Sequence, residues 1–128
     1  MEQTYIDQLE YHTETAILDP ELELSSDFLN DAYKDVQYTE KTILSALDDF
    51  LATKMISKQE YLILFSIYLV CAEKYKGAAP IFKDALLFDK KERELCCLFF
   101  DEHNIMSETI RAYLTRILNR EQGVFLLD

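Results

Sequence analysis

The sequence contains only two glycines and two prolines among its 128 residues. Sandwiches and barrels of β-strands need many tight turns, and the backbone angles of those turns favour these two residues. Helices that are joined by short connections need far fewer of them. The scarcity of glycine and proline therefore favours an all-α fold. The length suits one domain, which we expect to span residues 1–128.

Cysteine is scarce as well, and its number is odd. Of the three cysteines, Cys96 and Cys97 are adjacent, which is poor geometry for a structural disulfide, so we expect reduced thiols. Residues 1–4 contain neither a basic nor an apolar stretch of the kind found in signal peptides. The longest apolar stretch, residues 61–72, would rise about 18 Å as a helix, too short for a bilayer core of about 30 Å. These features predict a cytoplasmic protein without a membrane span.

Residue patterns typical of catalytic, metal-binding and phosphate-binding sites are missing. The sequence has no Cys-x-x-Cys, His-Glu-x-x-His or EF-hand pattern, and two glycines cannot build a phosphate-binding loop. Its only histidines, His12 and His103, do not follow a glutamate by three residues, as a carboxylate di-iron site requires. We therefore expect two surface histidines, no catalytic residue, no metal ligand and no cofactor, in a protein that is not an enzyme.

Apolar residues at helical spacing predict a single bundle of about seven helices. The first helix covers about 3–18 and ends before Pro20. Ser26 is a suitable N-cap for the second helix, and the third covers about 39–54. The residues expected on the inner face of the first helix are Ile6, Leu9, Thr13, Ala16 and Ile17.

The fourth helix, about 58–76, begins at the capping box Ser57-Lys58-Gln59-Glu60 and is apolar on every side. We therefore place it at the centre of the bundle and expect Gly77 to end it in the C′ position. Pro80 suits the first turn of the fifth helix. The sixth begins near residue 89 and includes Leu95, Cys96, Leu98 and Phe99. The seventh follows Ser107, buries Ile110, Tyr113, Leu114, Ile117 and Leu118, and ends at Gly123.

Acidic residues are concentrated in the first half of the chain. The formal net charge is −11, and residues 1–60 contain 14 acidic and four basic side chains, whereas residues 61–128 contain ten and nine. On the second predicted helix Asp27, Asp31 and Asp35 recur every four residues. They form a stripe that centres about 130° from the apolar face of that helix. The stripe must therefore face either solvent or a partner.

Two interpretations of this acidic half remain open. A solvated acidic face keeps a protein soluble and needs no further role. Alternatively, the carboxylates bind a basic partner, whose charge offsets their mutual repulsion. Tyrosines lie in the same region, and tyrosine beside carboxylates combines aromatic anchors with electrostatic steering: Tyr5, Tyr11, Tyr33 and Tyr38. We predict a partner-binding face that consists of Glu10, Glu14, Asp27, Asp31, Asp35 and Tyr38.

Residues 95–121 resemble a helix-turn-helix. Ile105 lies in the predicted turn, Ser107 caps the second helix, and this helix and its end carry Arg111, Arg116 and Arg120. The resemblance implies a DNA-binding regulator. Asn104 stands where a turn glycine is common, and Asp101, Glu102 and Glu108 would face phosphates.

In size, acidity, predicted helicity and its mixture of tyrosine with carboxylates, the chain resembles the small acidic immunity proteins with which bacteria neutralise nuclease toxins. The resemblance implies a stoichiometric inhibitor of a basic, nucleic-acid-cleaving protein. We expect no direct contact of the acidic half with nucleic acid, because phosphate contacts need Lys and Arg. The paired-Tyr-Pro signature of the nuclease-colicin branch is absent, so no residue role is transferred. Phage-encoded inhibitors of host defence share these traits. A helical adaptor that uses its apolar tail, residues 124–127, or a groove is a further alternative.

Overall fold

The structure is a computed structural model that describes residues 3–19, 21, 22, 24, 27, 56–87 and 90–120. These residues form helices and no strand, which confirms the all-α prediction. Apart from Asp27, which is helical, the helix predicted after Ser26 and the helix predicted over 39–54 lie outside the described residues, so the structure supports five α-helices rather than seven. They are α1 (Gln3–Leu18), α2 (Lys58–Lys74), α3 (Ala79–Leu87), α4 (Lys90–Glu102) and α5 (Glu108–Leu118), with a short 3-10 helix at Lys76–Ala78 between α2 and α3.

Helix α1 has the predicted bounds and the predicted buried face. Ile6, Leu9 and Ala16 are buried apolar residues, and Ile17 packs against the core at its edge. Thr13 is also fully buried, and its hydroxyl lies 2.8 Å from the hydroxyl of Ser66 on α2. Helix α1 therefore packs on α2 through an apolar stripe with one polar contact in its middle.

Helix α2 is buried along most of its length. The capping box forms: the Glu60 backbone N–H donates to Ser57 Oγ at 3.1 Å, and the Ser57 N–H donates to Glu60 Oε1 at 2.8 Å. Every residue from Leu62 to Ala72 is buried. A helix without a polar face needs neighbours on all sides.

The end of α2 differs from the prediction. The helix stops at Lys74, with Tyr75 as its C-cap, and Gly77 lies inside the following 3-10 helix. Gly77 does not adopt the left-handed backbone of a C′ glycine, and nothing lies within 4 Å of the place that a Cβ would take. Pro80 lies in the first turn of α3, as predicted, where its missing N–H removes no helical hydrogen bond.

A Schellman turn joins α4 to α5. Asn104 has a φ of 51°, its N–H donates to Asp101 O at 3.3 Å, and the Ile105 N–H donates to Phe100 O at 3.0 Å. Ile105 is buried and so accompanies the turn with an apolar contact. Asn104 thus adopts the backbone that glycine usually supplies. Ser107 caps α5 as predicted, with its hydroxyl accepting from the Ile110 N–H at 3.3 Å.

The described helices pack in a closed order. Helix α1 contacts α2, α2 contacts α3, α3 contacts α4, α4 contacts α5, and α5 returns to α1. Aromatic rings of three helices meet inside: the centroid of Phe82 lies 6.4 Å from that of Tyr68 and 6.2 Å from that of Phe100. The five predicted inward residues of α5 are all buried. The core residues of all five helices belong to one apolar cluster.

Candidate protein-binding surfaces

The outer side of α1 carries large exposed side chains between carboxylates. Tyr11, Glu14 and Leu18 follow one another at helical spacing and therefore share a face. Tyr11 is 64% exposed and Leu18 is 71% exposed. The ring of His12 stands edge-on to Tyr11, with 5.7 Å between centroids. An aromatic ring and an aliphatic side chain are thus available to a partner.

The segment that follows α1 also exposes acidic and apolar side chains. Asp19, Glu21 and Asp27 are exposed, and Leu22 is 44% exposed. The Gln59 side chain at the start of α2 donates to Leu22 O at 3.3 Å and accepts from the Leu24 N–H at 3.4 Å, which fixes the segment. We call the exposed and half-buried residues of these two segments the acidic surface: Tyr11, Glu14, Leu18, Asp19, Glu21, Leu22 and Asp27.

Glu10 differs from the expectation of a partner-facing acid, because it is only 9% exposed. Lys74 Nζ lies 3.0 Å from Glu10 Oε2 and 2.8 Å from Asp7 Oδ1, and Tyr75 donates to Glu10 Oε1 at 3.4 Å. The hydrogen bond to Asp7 and the contact with Glu10 raise the pKa of Lys74, although burial acts against them. This cluster ties α1 to the end of α2, so Glu10 serves the fold.

The structure places two of the six predicted partner-binding residues on the acidic surface, namely Glu14, which is half-buried, and Asp27, which is exposed. Asp31, Asp35 and Tyr38 lie outside the described residues. Neither Leu18 nor Leu22 is among the residues that the sequence predicts for the binding face. A signal for Leu18 was present, because it falls off the stripe of buried residues that Thr13, Ala16 and Ile17 continue.

Among the described residues, no lysine or arginine forms an ion pair with the carboxylates of the acidic surface. Lys74 binds Asp7 and Glu10, Arg120 Nη2 lies 2.8 Å from Glu60 Oε2, and Arg111 lies 3.8 Å from Asp101. None of these pairs involves Glu14, Asp19, Glu21 or Asp27. No described residue therefore neutralises the negative charge of the acidic surface.

The arginines of the helix-turn-helix resemblance are used inside the chain. Arg111 donates to Asp101 O and to Asn104 Oδ1, each at 3.3 Å, and so holds the turn between α4 and α5. Arg120 is bound to Glu60. The exposed Arg116 lies over the ring of Tyr113, with 5.3 Å from the guanidinium carbon to the centroid. Arg111 and Arg120 would have to leave these contacts before they could reach a phosphate.

The described histidines and cysteines lie in different surroundings. His12 and His103 are exposed, as expected, while Cys71, Cys96 and Cys97 are buried and unpaired. Burial raises the pKa of each thiol, which keeps it protonated and unreactive at neutral pH. Within the described residues, no three His, Cys, Asp or Glu side chains are grouped so that they could hold a metal ion.

The chain was compared with protein families, curated proteins and solved structures, and none of them matches it. None of the helices that the structure describes is both long and apolar enough to cross a membrane. The function must therefore be inferred from the side chains and the surfaces.

Proposed function

We propose that the chain is a stoichiometric inhibitor that binds a basic protein through the acidic surface. The observation that carries this proposal is the exposure of Tyr11 and Leu18 on the same side of α1 as Glu14. Exposed aromatic and aliphatic side chains supply binding energy when a partner buries them, and surrounding carboxylates select and steer a basic partner. We place this inhibitor in the cytoplasm.

Repulsion between the carboxylates of the acidic surface is not relieved by any cation among the described residues. Glu14, Asp19, Glu21 and Asp27 have no ion-pair partner among the described residues, whereas Asp7 and Glu10 share Lys74. A basic surface that docks here would relieve this repulsion and accelerate encounter at low salt. Enzymes that cleave nucleic acids present such basic surfaces to phosphates. A nuclease toxin, neutralised by coverage of its substrate channel and without chemistry, is the target that we propose.

The first test is affinity capture with the full chain at low salt and again at about 0.5 M salt, where the Debye length falls to about 4 Å. We expect a basic protein that is retained in equimolar amount at low salt and released faster at high salt. Its nuclease activity should fall to zero as the chain is titrated to one equivalent. Retention that is indifferent to salt, or residual activity at a large excess of the chain, would contradict the proposal.

Two variants of the acidic surface then locate the contact. Tyr11→Ala should weaken binding of the captured nuclease at least about tenfold, because the complex loses an aromatic anchor that the partner would bury. Leu87→Ala is the matched control, since Leu87 is 40% exposed but lies on α3. Charge reversal in Glu14→Lys/Asp27→Lys should slow association and flatten its salt dependence, and the sequence-predicted Asp31→Lys/Asp35→Lys should do the same. Glu94→Lys/Glu108→Lys makes an equal charge change on α4 and α5 and should have little effect.

A DNA-binding regulator is not favoured by the arginine contacts. Arg111 and Arg120 hold the turn and the start of α2, so their replacement should lower stability rather than reveal a phosphate site.

A further inference from the structure

Helix α4 has more apolar residues than the core uses. Cys96, Cys97 and Phe100 face the core and are buried, whereas Leu95 and Leu98 are 49% and 55% exposed. Two adjacent exposed leucines in the middle of a helix leave apolar area in contact with water, which costs free energy unless a partner covers it.

These leucines line a groove between α3 and α4. The groove has a volume of about 400 Å³, with Leu95, Leu98 and Phe99 from α4 facing Ile81 from α3. Carboxylates border this apolar floor: Asp84, Glu92 and Glu102. Because Glu92 and Glu102 are ten helical positions apart, the acidic ends of the α4 wall are separated by about 15 Å, nearly three helical turns.

The charge of the border decides what kind of partner fits. The three acidic side chains are the charged residues among the described residues that line the groove, and the basic residues of the same helices, Lys83, Lys90, Lys91 and Arg93, do not line it. A second copy of the chain would bring a like charge to this border. The apolar tail of the chain, residues 124–128, has Asp128 as its one charged side chain and would gain nothing from the carboxylates.

We propose that the groove between α3 and α4 binds a basic amphipathic helix of another protein. The helix would place apolar residues at i, i+3 or i+4, and i+7 against Leu95, Leu98 and Phe99. Lysines or arginines beside and beyond these anchors would reach Asp84, Glu92 and Glu102. This groove lies on helices other than those of the acidic surface, and its occupation does not require that the chain be an inhibitor.

The test uses the full chain and a labelled peptide of about 16 residues, a length at which a helix begins to be populated in water. The peptide has leucines at the stated spacing and lysines along one flank and at both ends. Fluorescence anisotropy at low salt should show saturable binding. The same peptide with glutamine in place of lysine should bind at least about tenfold more weakly, and the glutamate version should not bind measurably.

Variants of the chain assign the peptide to the groove. Leu95→Ser/Leu98→Ser should weaken peptide binding at least about tenfold, because each leucine loses its apolar contact. Glu92→Gln/Glu102→Gln should also weaken binding and should reduce its dependence on salt. Leu18→Ser/Leu22→Ser, which changes two exposed leucines of the acidic surface, is the matched control and should bind as the unchanged chain does. Circular dichroism verifies that each variant keeps its helix content.

Several results would overturn the proposal. Equal binding of the lysine and glutamate peptides would remove the role of the border, and full binding by Leu95→Ser/Leu98→Ser would remove the groove. A dimer that dissociates in Leu95→Ser/Leu98→Ser, seen by sedimentation, would assign the groove to a second copy. At least about tenfold tighter peptide binding after deletion of residues 124–128 would assign it to the tail. The groove proposal and the proposed inhibitor function can fail separately, because Tyr11→Ala should leave peptide binding unchanged.

Discussion

At the scale of single residues, the contact between Thr13 and Ser66 is the polar link in the apolar packing of α1 on α2. Both side chains are fully buried. Thr13 Oγ1 lies 2.7 Å from Leu9 O, Ser66 Oγ lies 2.7 Å from Ile63 O, and the two hydroxyls lie 2.8 Å apart. Two hydroxyl protons thus serve three contacts, so one of the carbonyl contacts gives way whenever the hydroxyls bond to each other. Removal of one hydroxyl leaves the other with a single partner.

We expect Thr13→Val and Ser66→Ala each to lower the free energy of unfolding by about 1 kcal/mol, and the double variant by less than the sum of the two. The double variant loses less because no hydroxyl is then left with an incomplete set of partners. Urea unfolding of the four proteins gives the coupling. Thr15→Val is the control, because Thr15 makes the same bond to the carbonyl four residues earlier but lies near the surface. Coupling of Ser66 to Thr15 as strong as to Thr13 would refute the interpretation.

The buried thiols make stability depend on pH on the alkaline side. Burial is the main cause that raises the pKa of Cys71 and Cys96, and the charges of Cys96 and Glu10 add to the rise at Cys71, as the charge of Cys97 does at Cys96. The folded chain therefore keeps these protons at a pH where the unfolded chain, with an ordinary thiol pKa of about 8.5, releases them. The stabilisation is complete below that pH and is lost as the pH rises through the folded values.

We expect the free energy of unfolding to fall above about pH 8.5, by up to about 1.4 kcal/mol per pH unit for each such thiol. Above about pH 10, burial of Tyr113, which raises its pKa, should make the fall steeper. Urea unfolding from about pH 7 to about pH 11 with a phosphine reductant measures the slope. Cys96→Ala should lower stability at every pH but should decline less steeply than the unchanged chain. Parallel slopes would show that Cys96 does not contribute.

At the scale of elements, Gly77 lies in a 3-10 helix rather than in the C′ turn that the sequence predicts. Its backbone is not left-handed and the position of a Cβ is open, so an added methyl group meets no obstacle. Gly77→Ala should raise the free energy of unfolding by about 0.4–1 kcal/mol, because it removes freedom from the unfolded chain. Asn104→Ala is the contrasting variant and should destabilise the chain, since Asn104 has a φ of 51°. Thermal unfolding of both variants measures the difference. A less stable Gly77→Ala would indicate the C′ geometry that the sequence predicts.

The residues at which helices begin could be predicted from the sequence more reliably than the face of each helix that the core buries. Ser57 and Ser107 cap their helices as expected, because a cap depends on residues that are three positions apart. Helix α4 has apolar residues on two sides, and spacing alone cannot decide which side the core takes. The core takes Cys96, Cys97 and Phe100, while Leu95 and Leu98 are left to the groove.

At the scale of the whole molecule, the distribution of charge follows contacts that spacing cannot predict. Glu10 was predicted as part of a binding face because it belongs to an acidic helix. It is buried because Lys74 and Tyr75, more than 60 positions later, close over it. Glu14, one turn further along α1, has no such neighbour among the described residues and stays at the surface. The acidic half of the chain therefore contains both structural and available carboxylates, and only the tertiary packing separates them.

The burial of α2 from Leu62 to Ala72 also determines how slowly its backbone amides exchange with solvent. Its backbone amides cannot meet solvent through fraying or through the departure of one neighbour, because α1, α3 and the 3-10 helix all contact it. In deuterated water the amides of this segment should exchange together and last. Their exchange free energies should equal the global free energy of unfolding from urea, whereas amides near the exposed end of α1 should exchange sooner. Amide exchange in α2 thus reports the rate and free energy of global unfolding.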